Sequence, residues 1–293
     1  MPLAARAPME LALGTVQFGL AYGIAGAGHA VPETETRRIL DAAWMHGVRT
    51  LDTASAYGDI ECRLARLCGS NPFRIVSKVP AIPAAMAPDE AANWALAQAK
   101  QSQRRLGHRL SALLCHRAED LLGERGLAVY PALRRWADTE GVALGTSCYG
   151  PDALLSVHEL HPVAVAQVPG NALDQSLTLA LPQAMPDIDI HLRSAFLQGL
   201  LLMPEAAGCA RLPVASPALQ RWHAWCSAQQ LPLLVGALSV VKAFAAVSKV
   251  VVGVETAAQF EAIASAWASA SPARAPQLAV QHPAVIDPRT WNP

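Results

Sequence analysis

The chain has little that would direct it to a charged partner. Lys plus Arg and Asp plus Glu each number 23 in its 293 residues, so the formal net charge is zero, and no polybasic run occurs. Proteins that bind nucleic acid or an anionic membrane usually carry a basic patch, so neither partner is expected. Charged residues are only 16% of the chain and hydrophobic residues 52%. This composition is typical of a globular protein with a large buried core.

The chain also lacks the usual signs of a disulfide framework or a metal site. Its six cysteines include no Cys-x-x-Cys pair. Scattered thiols in a chain of this length are typical of reduced, buried residues, so a cytoplasmic protein is expected. His158 and His161 are three residues apart, whereas two ligands on one helix face need a spacing of four. We therefore expect no bound metal.

No hydrophobic run is long and unbroken enough to indicate a membrane span. Residues 11–28 carry no charge, but Gln17 and five glycines make them a poor hydrophobic helix. A strand followed by a glycine-rich loop is the better interpretation. Residues 231–254 are interrupted by Pro232 and Lys242, which indicates a helix followed by a strand.

What the chain does contain is an alternation of short apolar segments with longer amphipathic ones. The segments with the length and composition of β-strands are 11–16, 48–52, 73–77, 111–115, 142–146, 163–168, 188–193 and 249–253. Helical periodicity occurs at 34–46, 60–68, 89–105, 125–140, 151–158, 217–229, 233–246 and 256–268. The element after the sixth strand is short and weakly defined.

Eight successive β-then-α units predict an α/β protein with a (β/α)8 TIM barrel fold. We expect residues 1–293 to form one domain, with the barrel at about 11–268 and a proline-rich C-terminal extension at 271–293. A doubly wound open sheet is the alternative. It would normally carry Gly-x-Gly-x-x-Gly after its first strand, which Gly26-Ala27-Gly28 does not supply.

Four polar side chains follow three successive predicted strands. Asp52 ends the second strand and Tyr57 lies in the loop after it, while Lys78 and His116 follow the third and fourth strands. Ionisable groups are costly inside apolar segments, and strand C-termini meet at one face of a barrel. We therefore expect the four to converge. Each also has an ordinary explanation, such as a turn cap, a rim residue, a solvated lysine or a satisfied core histidine.

The expected chemistry depends on the proton of the tyrosine. A tyrosine normally keeps its proton up to about pH 10, so it is a poor acid at neutral pH. A lysine beside it favours the phenolate, and a nearby carboxylate keeps that lysine charged. The sequence therefore predicts that Lys78 and Asp52 make Tyr57 more acidic.

The motifs around these residues resemble those of a known family. They are Leu13-Gly14-Thr15-Val16-Gln17-Phe18-Gly19, Leu51-Asp52-Thr53-Ala54 with Tyr57-Gly58 and Glu61, Ser77-Lys78, and Leu113-Leu114-Cys115-His116. Together they resemble the aldo-keto reductases over about residues 11–268. The resemblance implies an oxidoreductase that reduces an aldehyde or ketone by hydride transfer from NAD(P)H. It further implies that Tyr57 is the general acid and that His116 positions the carbonyl.

The resemblance also implies a site for NADP or NAD. The implied contacts are Gly14, Thr15, Gln17, Ser147, Gln167, Arg193, Ser194, Gly253, Glu255, Thr256 and Gln259. NADPH is most usual for the family, but residues 252–259 include no Lys or Arg, and Glu255 would repel a 2′-phosphate. NAD is therefore also expected to be usable.

Two positions depart from the family pattern. Cys148 stands where an asparagine often follows the serine, so one cofactor hydrogen bond is in doubt. Arg193 stands where an aromatic residue usually stacks on the nicotinamide. A guanidinium can also stack, and its charge could favour an anionic substrate. An ordinary arginine paired with a carboxylate is the alternative.

The segment Leu192-Arg193-Ser194 with Gln198-Gly199-Leu200-Leu201-Leu202-Met203 resembles a bacterial branch often associated with polysaccharide metabolism. That favours a sugar-like or small polar carbonyl substrate. Independently of this segment, a monomer or small homo-oligomer is expected. Two other functions stay open at this point. One is a catalytically weak, nucleotide-binding regulatory barrel, and the other is a lyase or isomerase using Lys78 as a Schiff base.

Overall fold

Eight parallel strands close into a barrel in sequence order, with the first strand paired to the eighth. This computed structural model describes residues 8–24, 26, 28–181 and 187–291. The strands are β1 (Glu10–Gly14), β2 (Thr50–Asp52), β3 (Arg74–Val79), β4 (Leu110–Cys115), β5 (Ala143–Ser147), β6 (Val165–Pro169), β7 (Asp189–Arg193) and β8 (Lys249–Gly253). All eight predicted strands are found, and the closed sheet confirms the TIM barrel over the open alternative.

Helices follow the strands and surround the barrel. They are α1 (Val16–Gly19), α2 (Glu33–Met45), α3 (Ile60–Leu67), α4 (Pro88–Leu106), α5 (Gly123–Glu140), α6 (Pro151–Leu160), α7 (Ser176–Ala180), α8 (Glu205–Arg211), α9 (Ser216–Ala228), α10 (Leu233–Lys242), α11 (Ala257–Ser269) and α12 (Pro283–Ile286). Helix α2 buries Ile39, Leu40 and Ala43 at helical spacing, as the periodicity predicts. The weakly defined element after β6 is the five-residue α7.

The barrel interior changes from apolar to polar toward the carboxyl ends of the strands. Val76 and Val165 belong to a small apolar cluster that is separate from the main core. Residues two apart on a strand share a face, so Lys78 lies above Val76 and Gln167 lies above Val165. The next layer along these strands is therefore polar, and it faces the rim where loops provide the walls of a site.

The C-terminal tail packs back onto the barrel. The backbone N–H of Val280 donates to the Leu173 carbonyl at 2.8 Å, and Gln175 Nε2 donates to the Ala275 carbonyl at 2.8 Å. Short helical turns at Pro276–Leu278 and Pro288–Thr290 continue the tail. The tail therefore reaches the loops that follow β5 and β6.

No single helix in the described ranges is long and apolar enough to cross a membrane. Residues 213–228 and 233–242 reach the required length and composition only as a pair, and the pair is bent by 94°. The interruption at Pro232 noted in the sequence lies at this bend.

Candidate active site

Asp52 and Lys78 form a buried ion pair at the carboxyl ends of β2 and β3. Lys78 Nζ donates to Asp52 Oδ1 at 2.8 Å, to Asp52 Oδ2 at 2.9 Å and to the Thr53 carbonyl at 2.8 Å. These bonds use the three hydrogens of the ammonium group. Gln167 Nε2 adds a bond to Asp52 Oδ1 at 2.6 Å. The carboxylate is thus fixed from two sides of the barrel.

Tyr57 and His116 lie beside this pair. Their ring centroids are 6.1 Å apart and their planes meet at 77°, an edge-to-face contact. Lys78 Nζ is 5.8 Å from the centroid of the Tyr57 ring. The structure therefore brings together all four side chains that follow the second, third and fourth strands.

The protonation states differ from the sequence-based expectation. Burial raises the pKa of Tyr57, and the nearby charge of Asp52 raises it further. Burial also lowers the pKa of Lys78, although the Asp52 carboxylate opposes that shift. The expectation that Lys78 makes Tyr57 more acidic is wrong for the protein without ligand. Tyr57 keeps its proton at neutral pH because burial and the nearby Asp52 carboxylate both disfavour its anion, and the positive charge of Arg193 does not outweigh them.

His116 is neutral at physiological pH. Burial lowers the pKa of His116 to about 4, and the positive charge of Lys78 acts in the same direction. A neutral imidazole has one N–H donor and one acceptor nitrogen. His116 can therefore donate a hydrogen bond to a carbonyl oxygen without carrying a charge.

A cleft of about 570 Å³ opens above the barrel and runs from the ion pair to the start of α11. Such a volume is typical of small-molecule and cofactor sites. The predicted site residues that line it are Gly14, Thr15, Gln17, Asp52, Tyr57, Gln167, Arg193, Ser194, Gly253, Glu255 and Gln259. The other four, Lys78, His116, Ser147 and Thr256, do not belong to the lining; His116 lies next to it, with its ring against that of Tyr57. Lys78 lies behind Asp52, and Ser147 is buried beside Gln167 in the β5–β6 register.

Thr256 has a structural role at the start of α11. Its hydroxyl accepts a hydrogen bond from the Gln259 backbone N–H at 3.1 Å, which is a helix N-cap. Gln259 Oε1 in turn accepts from the Glu255 N–H at 2.7 Å, and Glu35 Oε1 from α2 accepts from the Ala257 N–H at 2.7 Å. Protein side chains therefore occupy several of the first backbone donors of this helix.

The segment after β7 forms one wall of the cleft with unusual backbone. Ser194, Leu197 and Gln198 have φ values of 63°, 49° and 54°. Non-glycine residues in this region cost about 1–3 kcal/mol each, and such strain often lies at functional sites. The side chain of Asn171 donates to the Ser194 carbonyl at 3.3 Å. That bond helps to hold the strained turn against the cleft.

Comparisons with known proteins assign the chain to a family. The model of the Aldo/keto reductase family matches residues 10–274, which include every strand of the barrel. The chain belongs to the aldo-keto reductase family. A search of curated proteins finds no significant match.

Solved structures with the same fold include bacterial aldo-keto reductases. The holo form of aldo-keto reductase AKR11C1 from Bacillus halodurans is 18% identical, with a TM-score of 0.71 over 92% of this chain and 89% of that chain. The glycerol dehydrogenase AKR11B4 from Gluconobacter oxydans is 19% identical, with a TM-score of 0.66 over 91% and 89%. A putative aldo-keto reductase from Pseudomonas aeruginosa is 21% identical, with a TM-score of 0.63 over 90% and 91%. At these identities the likeness establishes the fold alone.

Aldo-keto reductases use nicotinamide cofactors, and the cleft of this family member has features that suit one. Gln17 lines the cleft, yet its buried Oε1 has no hydrogen-bond partner in the described residues. A polar ligand would supply the missing donor, since buried acceptors are normally satisfied. A Cβ on Gly253 would lie 2.5 Å from Gln17 Nε2, so the Gln17 amide lies directly against the Gly253 backbone. The residues present therefore fit an elongated polar ligand.

The structure also adds site residues that the sequence did not identify in this aldo-keto reductase. Tyr22 lines the cleft near Tyr57, and burial raises its pKa as well. Glu35 reaches the start of α11 from α2, as described above. Tyr149 and Arg289 stack at the mouth, one in the loop after β5 and the other in the tail. These residues are too far apart in the chain to form a short motif. Tyr149 is the exception, because it lies two residues after the predicted site residue Ser147.

Proposed function

We propose that the protein is an NAD(P)H-dependent reductase of an aldehyde or ketone, with Tyr57 as the proton donor. The observation that carries the proposal is the convergence of Tyr57 and His116 with the Asp52–Lys78 pair at one end of the cleft. Gln17, Arg193 and the segment 253–259 provide the remaining wall, where the cofactor would be held.

A reduced nicotinamide held along this wall would supply the hydride that the carbonyl carbon needs. Tyr57 holds the proton that the carbonyl oxygen needs, because its raised pKa keeps the hydroxyl protonated. An alkoxide is a stronger base than a phenolate, so the transfer from Tyr57 stays favourable as the alcohol forms. The neutral His116 donates a hydrogen bond to the same oxygen and orients it. The guanidinium of Arg193, whose charge acts against the raised pKa of Tyr57, stabilises the phenolate that remains.

The proposal includes a preference for NADH over NADPH. Glu255 lines the cleft, and Glu35 lies at the first turn of α11, where an adenosine 2′-phosphate would have to be received. In the described part of the cleft lining, Arg193 carries the sole positive charge, and it lies with Tyr57 and Gln167 rather than at α11. Glu35 is paired with Arg38 at 3.3 Å, so the repulsion comes from Glu255: a phosphate dianion near its carboxylate is unfavourable, whereas a ribose hydroxyl can donate to it.

The decisive experiment compares two tyrosines in one cleft. Tyr57→Phe should lower kcat for aldehyde reduction by a factor of about 10² to 10⁴, the usual contribution of a general acid. Cofactor affinity, measured by quenching of protein fluorescence, should change less than about twofold because Tyr57 lies at the reacting end. Tyr22→Phe is the matched control, since it removes another cleft phenol, and it should keep kcat within a few-fold.

Retention of most activity by Tyr57→Phe would refute the role of Tyr57. If the wild-type protein binds NADH or NADPH but reduces no aldehyde or ketone, the nucleotide-binding regulatory function replaces the proposal. A small polar substrate, such as a polyol-derived carbonyl, is the first class to screen, since the cleft carries several polar groups along its length.

A further inference from the structure

A stack of three side chains connects the C-terminal tail to the cleft. The guanidinium carbon of Arg193 lies 4.2 Å from the centroid of the Tyr149 ring, and that of Arg289 lies 3.4 Å from it. Both are cation–π distances. Asp287 binds Arg289 through its two carboxylate oxygens, with an Nη2–Oδ2 distance of 2.6 Å. The charge of Arg289 is therefore balanced within the tail.

The charge of Arg193 is not balanced in the same way. Its Nη2 donates to the Cys148 carbonyl at 3.1 Å, and its Nη1 makes a long contact of 3.4 Å with the Ser194 hydroxyl. Across the described ranges, no carboxylate oxygen lies within 4.0 Å of its guanidinium nitrogens. Asp174, the buried carboxylate that feels its charge, is bound instead to Ser176 at 2.7 Å.

A guanidinium has five N–H donors, so several hydrogens of Arg193 are left over from these two protein contacts. Arg193 lines the cleft together with Tyr57 and Gln198. Its positive charge is close enough to the reacting groups to act against the raised pKa of Tyr57 and to help lower the pKa of His116. An unbalanced, partly buried guanidinium of fixed orientation is suited to bidentate binding of a planar anion.

We propose that Arg193 recognises a carboxylate on the carbonyl substrate, and that Tyr149 and Arg289 are positioning residues that hold its guanidinium in place. The substrate class is then an aldehyde or ketone that carries a carboxylate within a few atoms of its carbonyl. This inference rests on the proposed function, which supplies the carbonyl and the proton donor. It goes further by naming the second group of the substrate and the tail as a contributor to the site.

The first test uses substrates that differ only in charge. 4-Carboxybenzaldehyde is compared with methyl 4-formylbenzoate, and succinic semialdehyde with its methyl ester, using NADH and the wild-type protein. The kcat/KM ratio of acid to ester should be at least about tenfold in both pairs, as expected of one charge-assisted hydrogen-bonded pair. Esters that perform as well as the acids would overturn the inference and leave the proposed function standing. If neither acids nor esters are reduced with NADH or NADPH, the proposed function itself fails.

The second test shows which residues produce the acid-to-ester ratio of kcat/KM. Arg193→Met should bring the acid-to-ester ratio close to one, whereas Arg193→Lys should keep part of the ratio because the charge remains. Arg289→Gln should lower the ratio several-fold through a higher KM for the acid, with the ester unaffected. Arg274→Gln is the control, since Arg274 lies in the same tail but outside this cleft. An unchanged ratio in Arg193→Met would contradict the assignment.

Binding provides a readout that does not depend on turnover. Titration calorimetry with 4-(hydroxymethyl)benzoate and its methyl ester, on protein saturated with NADH so that no hydride transfer can follow, should give at least about tenfold tighter binding of the acid. Cofactor affinity is measured for each variant in parallel. A loss of cofactor affinity in Arg193→Met with equal binding of acid and ester to the wild type would assign Arg193 to the cofactor alone and overturn the inference.

Discussion

The Asp52–Lys78 pair is both a structural and a chemical unit. With side chains only 9% and 1% exposed, each charge depends on the other for its stability. Removing one partner of a buried pair costs about 3–5 kcal/mol, because the remaining charge is left without compensation. Removing both together is cheaper. The pair should therefore be strongly coupled in stability even though neither residue is needed to form the barrel.

Lys78→Met should destabilise the protein by about 3–5 kcal/mol. The double variant Asp52→Asn with Lys78→Met should recover at least about 1 kcal/mol of that loss while remaining inactive. Urea unfolding of wild type, both single variants and the double variant measures the coupling. Lys100→Met, an exposed lysine on α4, serves as the control and should change stability by less than about 0.5 kcal/mol. Additive losses in the double variant would contradict the buried pair.

His116 gives a prediction for pH. The folded pKa is about 4 against an ordinary value of 6.5, so between these values the unfolded chain binds a proton that the folded chain excludes. This contribution to stability is present above pH 6.5 and is lost as the pH falls toward 4. Across this window the free energy of unfolding should rise with pH by up to about 3 kcal/mol more in wild type than in His116→Asn.

Urea unfolding of wild type and His116→Asn at pH 4.5, 5.5 and 6.5 measures how the free energy of unfolding depends on pH. His158→Asn, which replaces an exposed histidine on α6, should keep the wild-type slope. An equal slope in wild type and His116→Asn would show that His116 titrates normally. With a pKa of about 4, His116 should not set the acid limb of the kcat profile near pH 6.5.

For single residues, the sequence located the catalytic candidates but predicted the wrong direction for the pKa shift of Tyr57. An ionisable residue at the end of an apolar strand is visible in the sequence, so Asp52, Lys78 and His116 could be placed together. The pKa of Tyr57 depends on its burial and on which groups the Lys78 ammonium binds. Lys78 donates to Asp52 and Thr53. These contacts depend on the tertiary structure, so the pattern of apolar residues in the strands does not predict them.

Among the elements, the turn α1 sets the position of the loop that carries Tyr57. A Cβ placed on Gly19 would lie 2.1 Å from the Tyr57 carbonyl oxygen, so the two backbones pack in direct contact. Helix α3 is tied to the same turn, since Arg63 donates to the Phe18 carbonyl of α1. The position of the proposed proton donor therefore depends on a residue with no side chain and no chemistry of its own.

Gly19→Ala should displace the Tyr57 loop. We expect a loss of about 1–3 kcal/mol in stability from overpacking, and a fall in kcat of at least about tenfold, because small misplacements of a catalytic group are costly. Gly150→Ala is the control, since an added Cβ there would meet no atom within 4 Å. Unfolding and steady-state kinetics are measured for both. Wild-type kcat in Gly19→Ala would show that the loop tolerates the shift.

The regular elements were predictable and the irregular ones were not. Each strand and long helix has a periodic apolar pattern, so their existence followed from the sequence, with ends differing by a few residues. The turn at 194–199 has φ values between 49° and 63° at three non-glycine residues, a conformation that their side chains do not favour. Local backbone bonds from Leu197 and Gly199 are supplemented by tertiary bonds such as that from Asn171, and the tertiary part cannot be read from the local sequence.

For the whole molecule, the two ends of the barrel have different roles. At the carboxyl end, polar groups line a cleft, whereas at the amino end Asp189 binds Lys249 at 2.8 Å and His191 at 3.1 Å. The hydrogen bonds from His191, Lys249 and Ser248 lower the pKa of Asp189 against the effect of burial. Such a network at the amino end contributes to stability rather than catalysis. The barrel topology was predictable because it follows from element order, whereas the docking of Arg289 on Tyr149 joins residues 140 positions apart and was not.

The cofactor preference is a property of the complete cleft and can be measured as stabilisation of the fold. A ligand that binds only the folded state adds RT ln(1 + [L]/Kd) to the free energy of unfolding, so a tenfold affinity difference is worth about 1.4 kcal/mol. With the Glu255 carboxylate at the start of α11, NADH at a given saturating concentration should raise Tm by at least about 2 °C more than NADPH.

The charge of residue 255 should control the difference in Tm between the NADH and NADPH complexes. Glu255→Lys should reduce or reverse the preference by offering a cation to the 2′-phosphate, while Glu261→Gln, on the same helix and paired with His46, should leave it unchanged. Thermal unfolding with each cofactor, together with KM values for NADH and NADPH, tests the assignment. A hundredfold preference of the wild type for NADPH would show that residues other than those of this turn receive the phosphate, because carboxylates alone repel it.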